Sequence, residues 1–140
     1  MPANPLATAR IIWGALLTAV VIYYGVLGVL LSTSGRQGTP EMVSTLRPVL
    51  VVLAVAQTLV IWFVWRRTGP TERVRYPTTP DAPQVLGSYV ICWALGEAIA
   101  LYGFVLGLLG RDEPGAVPFF LWAAALLLLL RPRPHHFRAG

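Results

Sequence analysis

From Ile11 to Leu31 the chain runs for 21 residues without a charged side chain. A helix rises about 1.5 Å per residue, and a hydrocarbon core of about 30 Å needs about 20 apolar residues to cross. Three further runs follow: Pro48 to Trp65, Val85 to Leu109 and Pro114 to Leu130. Of the 11 arginines and 6 acidic residues, only Glu97 falls inside a run. The fourth run is the shortest, and Pro118 falls in its first turns, where proline is tolerated. The pattern predicts an all-α membrane protein with four transmembrane helices arranged as two hairpins.

Composition agrees with that reading. Only 12% of the 140 residues are charged and 56% are hydrophobic, whereas soluble domains are about a quarter charged. A soluble enzyme, a disordered chain and a disulfide-stapled domain are all poor fits. Cys92 is the single cysteine and has no intrachain partner. The net charge of +5 comes entirely from arginine, but the arginines lie between apolar runs rather than along one face. With no recognition motif either, no nucleic-acid partner is expected.

The arginines instead give an orientation. Arg10, Arg66, Arg67, Arg73, Arg75, Arg131, Arg133 and Arg138 flank one side of the runs, and Arg36, Arg47 and Arg111 the other. The positive-inside rule then predicts both termini and the central loop in the cytoplasm, N-in/C-in, for a protein of a bacterial inner membrane. Trp13, Trp62 and Trp65 fall near the cytoplasmic interface, Phe119 and Trp122 towards the opposite one. The domain expectation is a first hairpin over 1–66, a proline-rich cytoplasmic linker over 67–84, a second hairpin over 85–131 and a tail over 132–140. Met1 to Arg10 is read as preceding an uncleaved span, because the first apolar run is too long for a signal-peptide core. Tyr24-Gly25 and Tyr102-Gly103 form a faint internal echo, as do Pro48 and Pro118, each expected to open its helix.

Glu97 sits near the centre of the third run. An acidic side chain at mid-helix costs about 2.5–3.5 kcal/mol on insertion scales, most of it removed by protonation. At about 100° per residue, Gly96, Ala100, Gly103 and Gly107 share one stripe suited to close helix packing, with Glu97 on its flank. The neighbours of Glu97 one turn away, Trp93, Ala94, Ala100 and Leu101, offer almost no hydrogen bond, and Tyr102 points elsewhere. A partner must come from another helix. Gln57, at matching depth in the second run, is the expected one, with Thr58 and Thr18 as secondary candidates. Together these four would form a site for a proton or sodium ion.

The run Ala94-Leu95-Gly96-Glu97-Ala98-Ile99-Ala100-Leu101-Tyr102-Gly103 resembles the carboxylate helix of the proteolipid subunit c of rotary ATP synthases. In that family a Glu flanked by small residues, with a Tyr-Gly pair shortly after it, binds the transported ion. The resemblance implies that Glu97 is the ion-binding carboxylate. It covers about fifteen residues.

His135-His136 lack further ligands, so no metal site is expected, and no cofactor motif or nucleophile–base pair is present. The favoured expectation is a non-enzymatic, proteolipid-like membrane component, in a homo-oligomer or larger membrane complex. The alternatives are a membrane scaffold or accessory subunit, in which Glu97 serves packing, and a small proton-coupled transporter.

Overall fold

A computed structural model describes residues 5–33, 38–68 and 82–133. These form four α-helices: α1 over Pro5–Thr33, α2 over Pro40–Thr68, α3 over Ala82–Gly110 and α4 over Glu113–Leu129. The central part of the expected linker, the terminal tail with His135-His136, and Arg36, Arg73, Arg75 and Arg138 lie outside the described residues. The first three helices are long and apolar enough to cross a membrane. At 17 residues, α4 is about 25 Å long and falls short of a full span.

The helices begin earlier than the apolar runs because local chemistry extends them. Pro40 opens α2, and the Thr39 carbonyl accepts the Val43 amide at 3.2 Å. Pro48, expected to open this helix, therefore lies inside it. The backbone bond that Pro48 cannot donate falls near the N-terminal end, where the Ser44 and Thr45 hydroxyls also turn back onto the Glu41 carbonyl. Arg66 and Arg67 belong to the last turn of α2, where positive charge favours the negative end of the helix dipole. Pro83, placed in the linker by sequence, instead lies in the first turn of α3, where its missing amide proton costs no helical bond.

All four helices are apolar around most of their circumference, so packing and not amphipathicity decides their neighbours. The centre is α3, which lies against each of the other three, while α1 also touches α4. The core follows this helix: Tyr89, Cys92, Trp93, Ile99, Ala100 and Leu106 are buried. Trp65 and Tyr89 meet edge-on at 5.0 Å, and the Tyr89 and Trp93 rings lie 5.0 Å apart, tying α2 to α3. Elsewhere the outer faces remain bare and apolar, with Ile11 73%, Val52 67% and Leu129 72% exposed. Exposed apolar area on this scale is compatible with a membrane-embedded protein.

One end of the bundle collects the end of α1, the start of α2, the end of α3 and the start of α4. The Thr39 amide donates to the Leu109 carbonyl at 3.0 Å, and Arg111 Nη2 donates to the Leu31 carbonyl at 2.5 Å. The link between α3 and α4 is only Arg111-Asp112, and it requires a left-handed Arg111 with φ 50°. Asp112 then caps α4 by accepting the Gly115 amide at 3.1 Å, and pairs with Arg47 of α2 at 3.1 Å. At the other end α4 stops short, and two indoles complete it. Trp13 Nε1 donates to the Leu127 carbonyl at 2.8 Å, and Trp93 Nε1 to the Leu130 carbonyl at 2.9 Å.

Gly96, Gly103 and Gly107 face α4, and Ala100 between them is fully buried. A Cβ at Gly103 would lie 2.7 Å from the Phe119 Cβ and 3.0 Å from the Ala116 carbonyl oxygen. At Gly107 it would meet Leu27 at 2.6 Å and Ala116 at 3.0 Å, so α1, α3 and α4 converge there. Gly25, by contrast, has nothing within 4 Å. Gly103→Ala is expected to destabilise by about 1–3 kcal/mol, because the facing atoms are backbone and Cβ and cannot swing away. Gly25→Ala should be neutral or stabilising by up to about 1 kcal/mol. Thermal unfolding of both variants in detergent distinguishes the two sites.

Candidate functional site

Tyr102 follows Glu97 by five positions, which turns them about 140° apart around α3. Glu97 consequently looks to α1 and Tyr102 to α2. The Tyr23 hydroxyl of α1 donates to Glu97 Oε1 at 2.9 Å. Tyr23 is held there by the Phe104 ring, 6.4 Å away centroid to centroid. The second carboxylate oxygen of Glu97 has no hydrogen bond among the described residues.

Gln57 does not reach Glu97. Its Nε2 donates instead to the Tyr102 hydroxyl at 2.8 Å, while its Oε1 is buried with no hydrogen-bond partner among the described residues. The expected Gln57–Glu97 bond fails because matched depth says nothing about azimuth: α2 lies on the Tyr102 side of α3 and α1 on the Glu97 side. Nor do the secondary candidates turn to the carboxylate. Thr18 donates to the Gly14 carbonyl and Thr58 to the Ala54 carbonyl, both at 2.8 Å, satisfying their hydroxyls within their own helices. Glu97 does take its partner from another helix, but that helix is α1.

Tyr23 is the residue that sequence reasoning missed. A signal is present in the sequence, because a tyrosine in mid-span needs a hydroxyl partner, but only its neighbour Tyr24 enters the Tyr-Gly echo. The adjacent Tyr24 points another way, donating to Glu113 Oε1 at 2.7 Å and meeting the Phe120 ring edge-on at 5.4 Å. Adjacent tyrosines of α1 thus bind a carboxylate of α3 and one of α4. The small-residue stripe Gly96, Ala100, Gly103 and Gly107 lies beside this site and faces α4. No cluster of three or more His, Cys, Asp or Glu side chains is present among the described residues.

The arrangement can hold a carboxyl group in an apolar surrounding with one donor fixed on one oxygen. No protein family, curated protein or solved structure matches the chain.

The two polar pairs predict different couplings. A double-mutant cycle of Tyr23→Phe with Glu97→Gln, read by unfolding in detergent, should give about 0.5–1.5 kcal/mol. The cycle of Gln57→Leu with Glu97→Gln should give a coupling near zero.

Proposed function

We propose that this chain is a small multi-pass integral membrane protein in which Glu97 is a protonatable group within the bilayer. The observation that carries the reading is the asymmetry of the carboxyl group. Oε1 is engaged by the Tyr23 hydroxyl, and the other oxygen has no partner among the described residues. Intramembrane carboxylates are costly when charged and typically mark proton or ion sites. A proton needs only the single open oxygen. A metal cation such as sodium calls for several oxygen ligands, and the site supplies Glu97 and Tyr23, so the composition favours the proton.

In this proposal both termini are cytoplasmic in a bacterial inner membrane; α3 and α4 pack as a hairpin, whereas α1 and α2, expected to form the first hairpin, pack separately on α3. The arginine distribution supports that orientation. The likeness to subunit c is confined to the helix around Glu97. The Tyr102 that belongs to the resembling motif faces α2, while Tyr23 serves the carboxylate. A proteolipid-like component, working without enzymatic activity in a homo-oligomer or larger membrane complex, is the form of function we favour.

The second reading makes Glu97 a permanently neutral packing group. It is favoured by the same Tyr23 bond, which also ties α1 to α3. Carbodiimide labelling separates the two, because the reagent attacks the protonated carboxyl group. For a titrating, accessible site, labelling of Glu97 should be strong at low pH, fall as pH rises through its titration, and vanish in Glu97→Gln. A Glu97 that resists modification at every pH sinks the proton-site reading.

A further inference from the structure

The end of the bundle where α1 and α3 begin and α2 and α4 finish carries five described arginines: Arg10, Arg66, Arg67, Arg131 and Arg133. All five are exposed. Among the described residues none makes an ion pair and no acidic side chain shares this end; Glu41, Asp112 and Glu113 all lie at the opposite end. Arg66 and Arg67 stack over rings of their own helix, 3.9 Å from the Trp62 centroid and 4.3 Å from the Phe63 centroid.

The other three lie on α1 and just beyond α4, two helices that pack against each other. The Trp13–Leu127 bond places the third turn of α1 against the last turn of α4. Arg10 lies three residues before Trp13, within about 60° of the same helix face and one turn nearer the end. Arg131 and Arg133 follow α4 directly, and Pro132 between them is buried, so the chain remains packed on the bundle as it leaves the helix. These arginines are not needed to cap α4. The indoles of Trp13 and Trp93 already occupy the Leu127 and Leu130 carbonyls. In the last turn of α4, just before Arg131, Leu128 and Leu129 are 52% and 72% exposed.

We infer that Arg10, Arg131 and Arg133 form a binding site for the phosphate headgroup of an anionic phospholipid, whose acyl chains lie along Leu128 and Leu129. Guanidinium groups bind phosphate oxygens in a bidentate fork, and basic clusters at the cytoplasmic ends of membrane helices attract anionic lipid. The bare leucines in the last turn of α4 favour a lipid over free phosphate, since only a lipid covers both surfaces. The inference rests on the membrane reading but not on the chemistry of Glu97. Release of the chain from membranes by carbonate would remove that reading before lipid selectivity is asked. An unreactive Glu97 leaves the lipid site standing.

The test is native mass spectrometry of the purified full chain in detergent, with phosphatidylglycerol or phosphatidylcholine of identical acyl chains. Wild type should retain at least several-fold more phosphatidylglycerol. The triple variant Arg10→Gln, Arg131→Gln, Arg133→Gln should fall to the phosphatidylcholine level, whereas Arg66→Gln with Arg67→Gln should keep at least half. The single variant Arg131→Gln, at an exposed position, should lose at least twofold and guards against misfolding of the triple variant. Equal retention of the two lipids by wild type overturns the site. So does undiminished phosphatidylglycerol on the triple variant, or complete displacement of the lipid by millimolar inorganic phosphate.

Discussion

At Gly103 the α3 backbone approaches α4 so closely that a methyl group would lie 2.7 Å from the Phe119 Cβ. The other helix placements follow from that contact. It brings α4 under the flank of α3, and Gly107 repeats it one turn on, where Leu27 of α1 enters the same space. With α4 occupying the glycine side, α1 and α2 take separate sides of α3 and each meets a different polar residue. Glu97 is met by Tyr23 and Tyr102 by Gln57. In an apolar surrounding, where association gains little from hydrophobic burial, such close backbone contact and a few interhelical hydrogen bonds carry the specificity.

The same economy of polar groups governs the helix ends. The short α4 would leave carbonyls uncovered well inside the bundle, and the Trp13 and Trp93 indoles cover two of them. At the opposite end, Arg111 covers a terminal carbonyl of α1 while its left-handed backbone makes the tight turn into α4. The guanidinium groups at the two ends thus have different surroundings. Arg47 and Arg111 are bound to protein acceptors, whereas Arg10, Arg131 and Arg133 form no ion pair among the described residues. Gln57 Oε1 stands apart as a buried acceptor without a partner among the described residues.

Much of the architecture was legible in the chain because charge exclusion marks apolar helices strongly. The runs beginning at Ile11, Pro48, Val85 and Pro114 each correspond to a helix, and the shortness of the fourth was visible in its length. Helix starts were less legible: Pro48 looked like a boundary because proline usually is one, yet Thr39 and Pro40 open α2 eight residues earlier. At the candidate site, periodicity showed that Glu97 and Tyr102 diverge and that the partner of Glu97 lay on another helix. It did not show which one. Depth along a helix is readable from residue counting, but the angular position of a neighbouring helix depends on packing contacts distant in sequence.

The sequence by itself determined the number and character of the helices, the isolation of Glu97 among apolar residues and the stripe of small residues beside it. These are properties of single segments, fixed by composition and the 3.6-residue period. Only the tertiary structure decided that Tyr23 and not Gln57 meets the carboxylate, that indoles finish α4, and that the arginine-bearing start of α1 and the segment after α4 belong to helices that pack together. Each of those depends on how helices are arranged around α3, and residues 74 and 114 positions apart come together only once that arrangement exists.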